Sequence, residues 1–171
     1  LWIKGINFNL TSLLKDEQLA KYFDGGSLVI ARLAPQDYHR FHSPVDGIIT
    51  MNYHIPGTYY TVNPMAVRQK VDVYTENART VTIIDSPQFG KVAFVSIGAM
   101  MVGSIIITTD IGAEVKRLDE IGYFAFGGST IVILYAKEAR VQFDNDLLAN
   151  SKEQLETLIK VGESMGHKKK Q

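Results

Sequence analysis

From Ser27 to Tyr135 the sequence sustains no helical period. It breaks instead into short runs of β-branched, aliphatic and aromatic residues punctuated by glycine and proline. Leu28-Val29-Ile30-Ala31-Arg32-Leu33 is the first run, and others follow at residues 45–51, 71–74, 79–85, 91–97, 103–108 and 123–135. β-Branched side chains suit a pleated surface and lose rotamer freedom in a helix, so runs of this length between turn signals predict strands. The turn signals stand at Ile55-Pro56-Gly57-Thr58, Ser86-Pro87 and Asp110-Ile111-Gly112. Many short strands with frequent punctuation restrict the chain to a mainly β (α+β) fold, an antiparallel barrel or sandwich.

Helical patterns are confined to the two ends. Residues 2–8 alternate as a short strand, after which Asn9 or Thr11 caps a stretch carrying Leu10, Leu13, Leu14, Leu19, Ala20 and Phe23 that Gly25-Gly26 stops. The spacing breaks at Asp16, so two short helices fit as well as one. Near the other end Ser151 and Gln154 form a capping box, Leu155, Leu158 and Ile159 make an apolar stripe, and Gly162 ends it, predicting a C-terminal helix. The tail His167-Lys168-Lys169-Lys170 reads as a solvated terminus, with contact to anionic lipid headgroups as the alternative.

At 171 residues one domain is expected, burying roughly 70% of the extended chain's surface. Eighteen basic and eighteen acidic side chains cancel, so no overall field recruits nucleic acid. An apolar share of 46% against 21% charged excludes disorder. The absence of cysteine removes disulfides, thiolate nucleophiles and cysteine metal sites. The uncharged run 92–107 is interrupted by Gly98 and Gly103 and falls short of a spanning helix, so it reads as two buried strands joined at glycines. With Leu1 in place of an initiator methionine and no signal peptide, the chain is expected to be a piece of a longer protein.

Two stretches carry chemistry. Gly127-Gly128-Ser129-Thr130 lies between Tyr123-Phe124-Ala125-Phe126 and Ile131-Val132-Ile133-Leu134-Tyr135. The bland reading is two strands meeting at a tight turn. The sharper one is that the Ser129 hydroxyl, facing a carbonyl flanked only by glycine, can swing onto it, so that the Gly128–Ser129 bond becomes a site of self-directed backbone chemistry. The other stretch places Asp37, His39 and His42 in one loop between Pro35 and Pro44. A metal site would need further ligands, and neither His54 nor His167 has a matching spacing. Residues that pin a loop, or acid/base groups whose imidazole titrates near neutrality, are the other two readings. Periodicity does not choose among them.

A longer comparison does. The run from Leu33 to Gly47, including Asp37-Tyr38-His39-Arg40-Phe41-His42-Ser43-Pro44, closely resembles the signature of phosphatidylserine decarboxylases. The likeness continues through Asn77-Ala78-Arg79, Phe89-Gly90, the run Val95 to Ile105 and Glu120 to Thr130, in order over nearly the whole chain. The resemblance implies one catalytic domain over 1–171 lacking its upstream segment, with a fold resembling a barrel-sandwich hybrid flanked by helices at both ends. It implies a carboxy-lyase whose pyruvoyl cofactor is made from Ser129 by cleavage after Gly128, giving a β chain of 1–128 and an α chain of 129–171. It also implies that the substrate amine forms a Schiff base at that group. The roles carried over are His42 as self-cleavage base, His39 in decarboxylation and proton transfer, and Asp37 as the carboxylate that orients an imidazole. No metal is implied.

The family's self-cleavage triad is completed by an aspartate in an earlier segment that nothing before Leu1 supplies, and that role is not transferred to Asp46. Phosphatidylserine in a membrane is the expected partner, with Phe41 or Trp2 and Ile3 dipping into the interface and a homodimer as the assembly. The GGST variant resembles the eukaryotic branch on endomembranes (Golgi, endosome, vacuole or ER), with the mitochondrial inner membrane as the alternative. Rival readings are a silent homologue, a pyruvoyl decarboxylase of a soluble amino acid, and a biotin or lipoyl carrier. The carrier lacks its hairpin-tip lysine: Lys91 follows Gly90 without the Met or Ala flanks.

Overall fold

The computed structural model describes residues 2–3, 6–7, 9–58, 60, 73–99, 104–125 and 129–169. Where one initial strand is expected there are two, β1 (Trp2–Ile3) and β2 (Ile6–Asn7), paired antiparallel. The helical pattern resolves into α1 (Leu10–Leu14) and α2 (Glu17–Phe23). Asn9 caps the first by accepting from Thr11 N–H, and Asp16 caps the second by accepting from Gln18 and Leu19 N–H. The break in spacing at Asp16 is therefore a capping site.

The strands then run β3 (Ser27–Leu33), β4 (Arg40–His42) and β5 (Gly47–Ile55). Helix α3 (Val73–Glu76) comes next, followed by β6 (Arg79–Ser86), β7 (Gly90–Ile97), β8 (Ser104–Ile107), β9 (Glu114–Val115), β10 (Glu120–Ala125) and β11 (Ser129–Tyr135). A 3-10 turn (Lys137–Ala139), β12 (Val141–Phe143), α4 (Asn145–Lys152) and β13 (Gly166–Lys168) complete the order. The main sheet is ordered β3-β11-β7-β6-β5-β9 and curls into a half-barrel; a second sheet is ordered β4-β10-β8. The ladders are antiparallel throughout. The fold is thus mainly antiparallel β with few helices, as the punctuated strand pattern predicts.

Alternation along the central strands explains why they read as nearly continuous apolar runs. On β7, Val92 and Phe94 face one cluster while Ala93, Val95 and Ile97 face another; on β11, Ile131, Ile133 and Tyr135 separate in the same way from Val132 and Leu134. Successive side chains of a strand point to opposite faces, so a strand covered on both sides needs apolar residues at every position. The first cluster joins the two sheets, with the Phe41 ring 5.5 Å from Phe94 and 5.0 Å from Phe124. The second lies under the helices, where Leu13, Leu14 and Phe23 meet Val81, Val95 and Leu134. Arg79, buried to 1% exposure, ties that layer down: its guanidinium donates to the carbonyls of Ser12, Leu13 and Asn77. Two of these are carbonyls near the C-terminal end of α1, where a cation also complements the helix dipole.

Four local expectations change. The supposed strand at 71–74 is helical from Val73 onward, its first two residues lying outside the described ones. The C-terminal helix ends at Lys152, near where its predicted start lies, because Gln154 adopts φ 60 and the Leu155 N–H returns to the Asn150 carbonyl. Of its apolar stripe Ile159 is half-buried, while Leu155 is 62% and Leu158 91% exposed. The tail is no free terminus, since Gly166–Lys168 pairs with β12. Phe41 is a core residue at 2% exposure and cannot dip into a membrane, while the side chains of Trp2 and Ile3 fall outside the described ones.

Truncating the ring that joins the sheets should cost most. Phe41→Ala is expected to lower the unfolding free energy by about 3–5 kcal/mol, read from urea denaturation. Burial pushes the Tyr135 hydroxyl from 10.0 up to about 12, with Arg117 opposing weakly. A pKa raised in the folded state gives stability that is complete below the unfolded value and lost as pH climbs through the folded one. Stability should therefore fall between pH 10 and 12 by at most about 2–3 kcal/mol. Tyr135→Phe should flatten that fall in urea titrations across the same range.

Candidate functional site

The two strands expected to meet at a tight turn at Gly127-Gly128 do not pair with each other, because β10 and β11 belong to different sheets. Each is a central strand with both edges filled, β11 by β3 and β7, and β10 by β4 and β8, so neither has an edge left for the other. The order β3-β11-β7 in one sheet matches β4-β10-β8 in the other. The chain changes sheet between β3 and β4 (34–39), between β7 and β8 (98–103) and between β10 and β11 (126–128); residues 100–103 and 126–128, with Gly127 and Gly128, lie outside the described residues.

This placement brings the histidine loop and the serine junction together. Ser129, the first residue of β11, pairs with Leu33, the last of β3. At the loop's other end Arg40 pairs with Tyr123, and the Phe124 N–H donates to the His39 carbonyl at 3.0 Å. The loop 34–39 thus begins beside Ser129 and ends beside the strand that leads into 126–128. Ser129 is fully buried, and its Oγ has no hydrogen-bond partner among the described residues. An unpaired buried hydroxyl costs roughly 1–3 kcal/mol, and such groups call for a functional explanation.

Within the loop Asp37 closes a turn: its N–H donates to the Ala34 carbonyl at 2.9 Å and its Oδ2 accepts from the Ala34 N–H at 2.7 Å. His39 Nδ1 donates to the Asp37 main-chain carbonyl at 2.6 Å. A carbonyl can only accept, so the proton sits on Nδ1 and the lone pair on Nε2. That Nε2 is buried and has no partner among the described residues. Asp37 therefore orients His39 through its carbonyl, while its carboxylate holds the turn.

His42 is arranged differently. Its Nδ1 donates to the Leu118 carbonyl at 2.7 Å, and its Nε2 accepts from the Tyr38 hydroxyl at 2.9 Å, with the two rings stacked at 5.7 Å and 14°. In the β10 register it stands opposite Glu120, roughly 16 Å along the strand from Ala125, and it makes no hydrogen bond to Ser129. His39 thus lies at the end of the loop that begins beside Ser129, and His42 lies further along β4, tied to Tyr38. His54 is on β5 beside Thr80 and His167 on β13, both apart from this loop.

Two residues at the site carry no chemical signal in the sequence. Asn77 has no exposure, and its carboxamide uses all four hydrogen-bonding positions: Nδ2 donates to the Tyr60 and Gly98 carbonyls, and Oδ1 accepts from Tyr60 N–H and Thr58 Oγ1. Since Thr130 pairs with Ile97, the next step in register puts Gly98 across from Ser129, so Asn77 fixes the main chain facing the serine. Only its place in the Asn77-Ala78-Arg79 run singled it out. Leu118 adopts φ 74, a left-handed conformation costing a branched side chain about 1 kcal/mol, and nothing in its local sequence announces this.

Comparison with known proteins bears on this arrangement. A family model described as phosphatidylserine decarboxylase matches residues 1–167. Among curated relatives, phosphatidylserine decarboxylase proenzyme 3 of Schizosaccharomyces pombe is 55% identical over 167 residues, 98% of this chain and 17% of that protein. Proenzyme 2 of Oryza sativa is 54% identical, covering 97% of this chain and 27% of the relative. The phosphatidylserine decarboxylase proenzyme of Chlamydia trachomatis is 47% identical, covering 96% and 54%. The chain therefore spans between about a sixth and about a half of the length of these relatives. With a matched run covering nearly every residue, including the Asp37–His42 loop and Ser129, the chain belongs to the phosphatidylserine decarboxylase family.

Proposed function

We propose that this domain is the catalytic core of an enzyme that converts phosphatidylserine to phosphatidylethanolamine, using a pyruvoyl group generated from its own Ser129. The observation that carries the reading is the buried, unpartnered Ser129 Oγ at the head of β11, beside the loop that presents the unpartnered Nε2 of His39. A buried hydroxyl without a partner among the described residues has no competing hydrogen bond to break before it reacts.

Self-cleavage follows from ordinary acyl chemistry. Ser129 Oγ loses its proton to a base and adds to the Gly128 carbonyl carbon; the C–N bond breaks, and an ester to Gly128 replaces the peptide bond. Loss of the Ser129 α-proton expels Gly128 as a carboxylate. The dehydroalanine left at residue 129 takes up water and releases ammonia, giving a ketone. Burial favours the sequence by excluding water until the ester has formed. The resemblance assigns the role of base to His42, whose Nε2 must be released by the Tyr38 hydroxyl and brought to Ser129 before it can take that proton. Once bound in place, the pyruvoyl ketone supplies an electron sink for the electrons released with carbon dioxide. His39, with its proton fixed on Nδ1 and its lone pair on Nε2, then carries a proton to the substrate carbon.

The substrate lies in a bilayer, so the working enzyme is a peripheral membrane protein; no described helix is long and apolar enough to cross a membrane. The reading extends to a homodimer on eukaryotic endomembranes whose α and β chains stay together after cleavage.

Denaturing intact-mass measurement of the full-length polypeptide tests this directly. Cleavage between Gly128 and Ser129, with a blocked pyruvoyl end on the C-terminal piece, is the expected result. Ser129→Ala should give one uncleaved chain and no carbon dioxide from phosphatidylserine. Decarboxylation that survives this substitution would remove the serine from the mechanism.

A further inference from the structure

We propose that Asp46 is a positioning residue for His42, acting through the turn at residues 116–119. The inference rests on the self-cleavage role proposed above for His42. It starts from the left-handed Leu118, whose carbonyl accepts from His42 Nδ1 at 2.7 Å. The Leu118 side chain does not explain that conformation, since it is 52% exposed.

What holds the turn is the segment that follows His42. The Leu118 N–H donates to the Ser43 carbonyl at 2.9 Å, and the Ser43 N–H donates to the Asp119 carbonyl at 2.8 Å. Ser43 Oγ donates to the Val45 carbonyl, which folds 43–45 and presents Asp46 to the same turn. Asp46 Oδ1 then accepts from the Arg117 N–H at 2.7 Å. From within the turn, Asp119 Oδ2 accepts from the Lys116 N–H at 2.7 Å. Residues 42–46 thus grip 116–119 at three successive points: the His42 ring, the Ser43 backbone and the Asp46 carboxylate.

Asp46 anchors the peptide that enters Arg117, and the Ser43 carbonyl anchors the one that enters Leu118. With both N–H groups held, the Leu118 carbonyl is aimed at His42 Nδ1, which confines the ring proton to Nδ1 and leaves Nε2 as the basic nitrogen. A partner on the far nitrogen of an imidazole selects the tautomer and orients the ring. Without the carboxylate, Leu118 is free to relax to negative φ, and its carbonyl turns away from the ring. Asp46 does not touch Ser129 or His42.

The test separates positioning from cleavage. In the full-length Ser129→Ala polypeptide, which stays as one species, ring nitrogen shifts of neutral His42 should report a single Nδ1–H tautomer. Asp46→Asn keeps an Oδ1 acceptor and should preserve that tautomer, whereas Asp46→Ala should give a mixture. In the polypeptide with Ser129 intact, Asp46→Ala should slow self-cleavage about 10-fold or more, with Asp46→Asn close to the native rate. Leu118→Gly, which holds φ 74 without a Cβ, should also stay near native, and Leu118→Val should reproduce the Asp46→Ala tautomer mixture. The Leu118 pair decides the matter if Asp46→Ala fails to fold. A folded Asp46→Ala chain with a single Nδ1–H tautomer, or with native cleavage, overturns the proposal. A tautomer that shifts in a polypeptide that never cleaves would support the positioning role and remove the cleavage role of His42.

Discussion

Ala125 and Ser129 belong to strands that hydrogen-bonded ladders hold in two different sheets. β11 pairs with β3 through seven residues and with β7 through six, while β10 is bracketed by β4 and β8. Neither strand can shift toward the other without breaking register, and a slip of one residue would turn buried faces outward. The junction between them is therefore the tether between two independently anchored strands. Severing it would leave both anchored, because β11 is buried along its entire length within the core.

Polar groups in that core fall into two kinds. Arg79 and Asn77 are as deeply buried as any aliphatic residue, yet each meets several partners: Arg79 holds the end of α1, and Asn77 holds Gly98, across from Ser129 in register. Ser129 Oγ and His39 Nε2 are buried with none among the described residues. The contrast matters because burial charges the same desolvation cost to both kinds, and only the first recovers it through hydrogen bonds. Ser86, Ser96 and Thr109 also bury unpartnered hydroxyls, so it is their place beside the junction, and not the missing partner alone, that sets Ser129 and His39 apart.

The two histidines of one short loop diverge for a related reason. Tyr38, His39, Arg40, Phe41 and His42 enter a strand, and a two-residue period sends alternate side chains to opposite faces. Phe41 goes into the core between the sheets, and Arg40 pairs with Glu120 at the surface. His39 precedes the strand, beside the junction, and keeps a bare nitrogen; His42 ends it, against the 116–119 turn, with both nitrogens engaged.

Much of this was legible in the linear chain. The strands at 28–33, 79–85 and 91–97 and the capping at Asn9 follow from residue type and spacing, because each depends on a few neighbouring residues. Sheet membership does not. Tyr123–Tyr135 looks like two strands meeting at a turn because a local pattern cannot show that both edges of each strand are taken by segments elsewhere in the chain, the farthest being β3 for β11 and β4 for β10. The C-terminal stripe looks like a helix because amphipathicity is local, while the surface that would bury it is not. The sequence determined which side chains can do chemistry and where the chain prefers to extend. Tertiary structure alone decided which of them meet, which nitrogen of each imidazole is left free, and that an exposed leucine should bend backwards to hold one of them, since these depend on contacts between residues far apart in the chain.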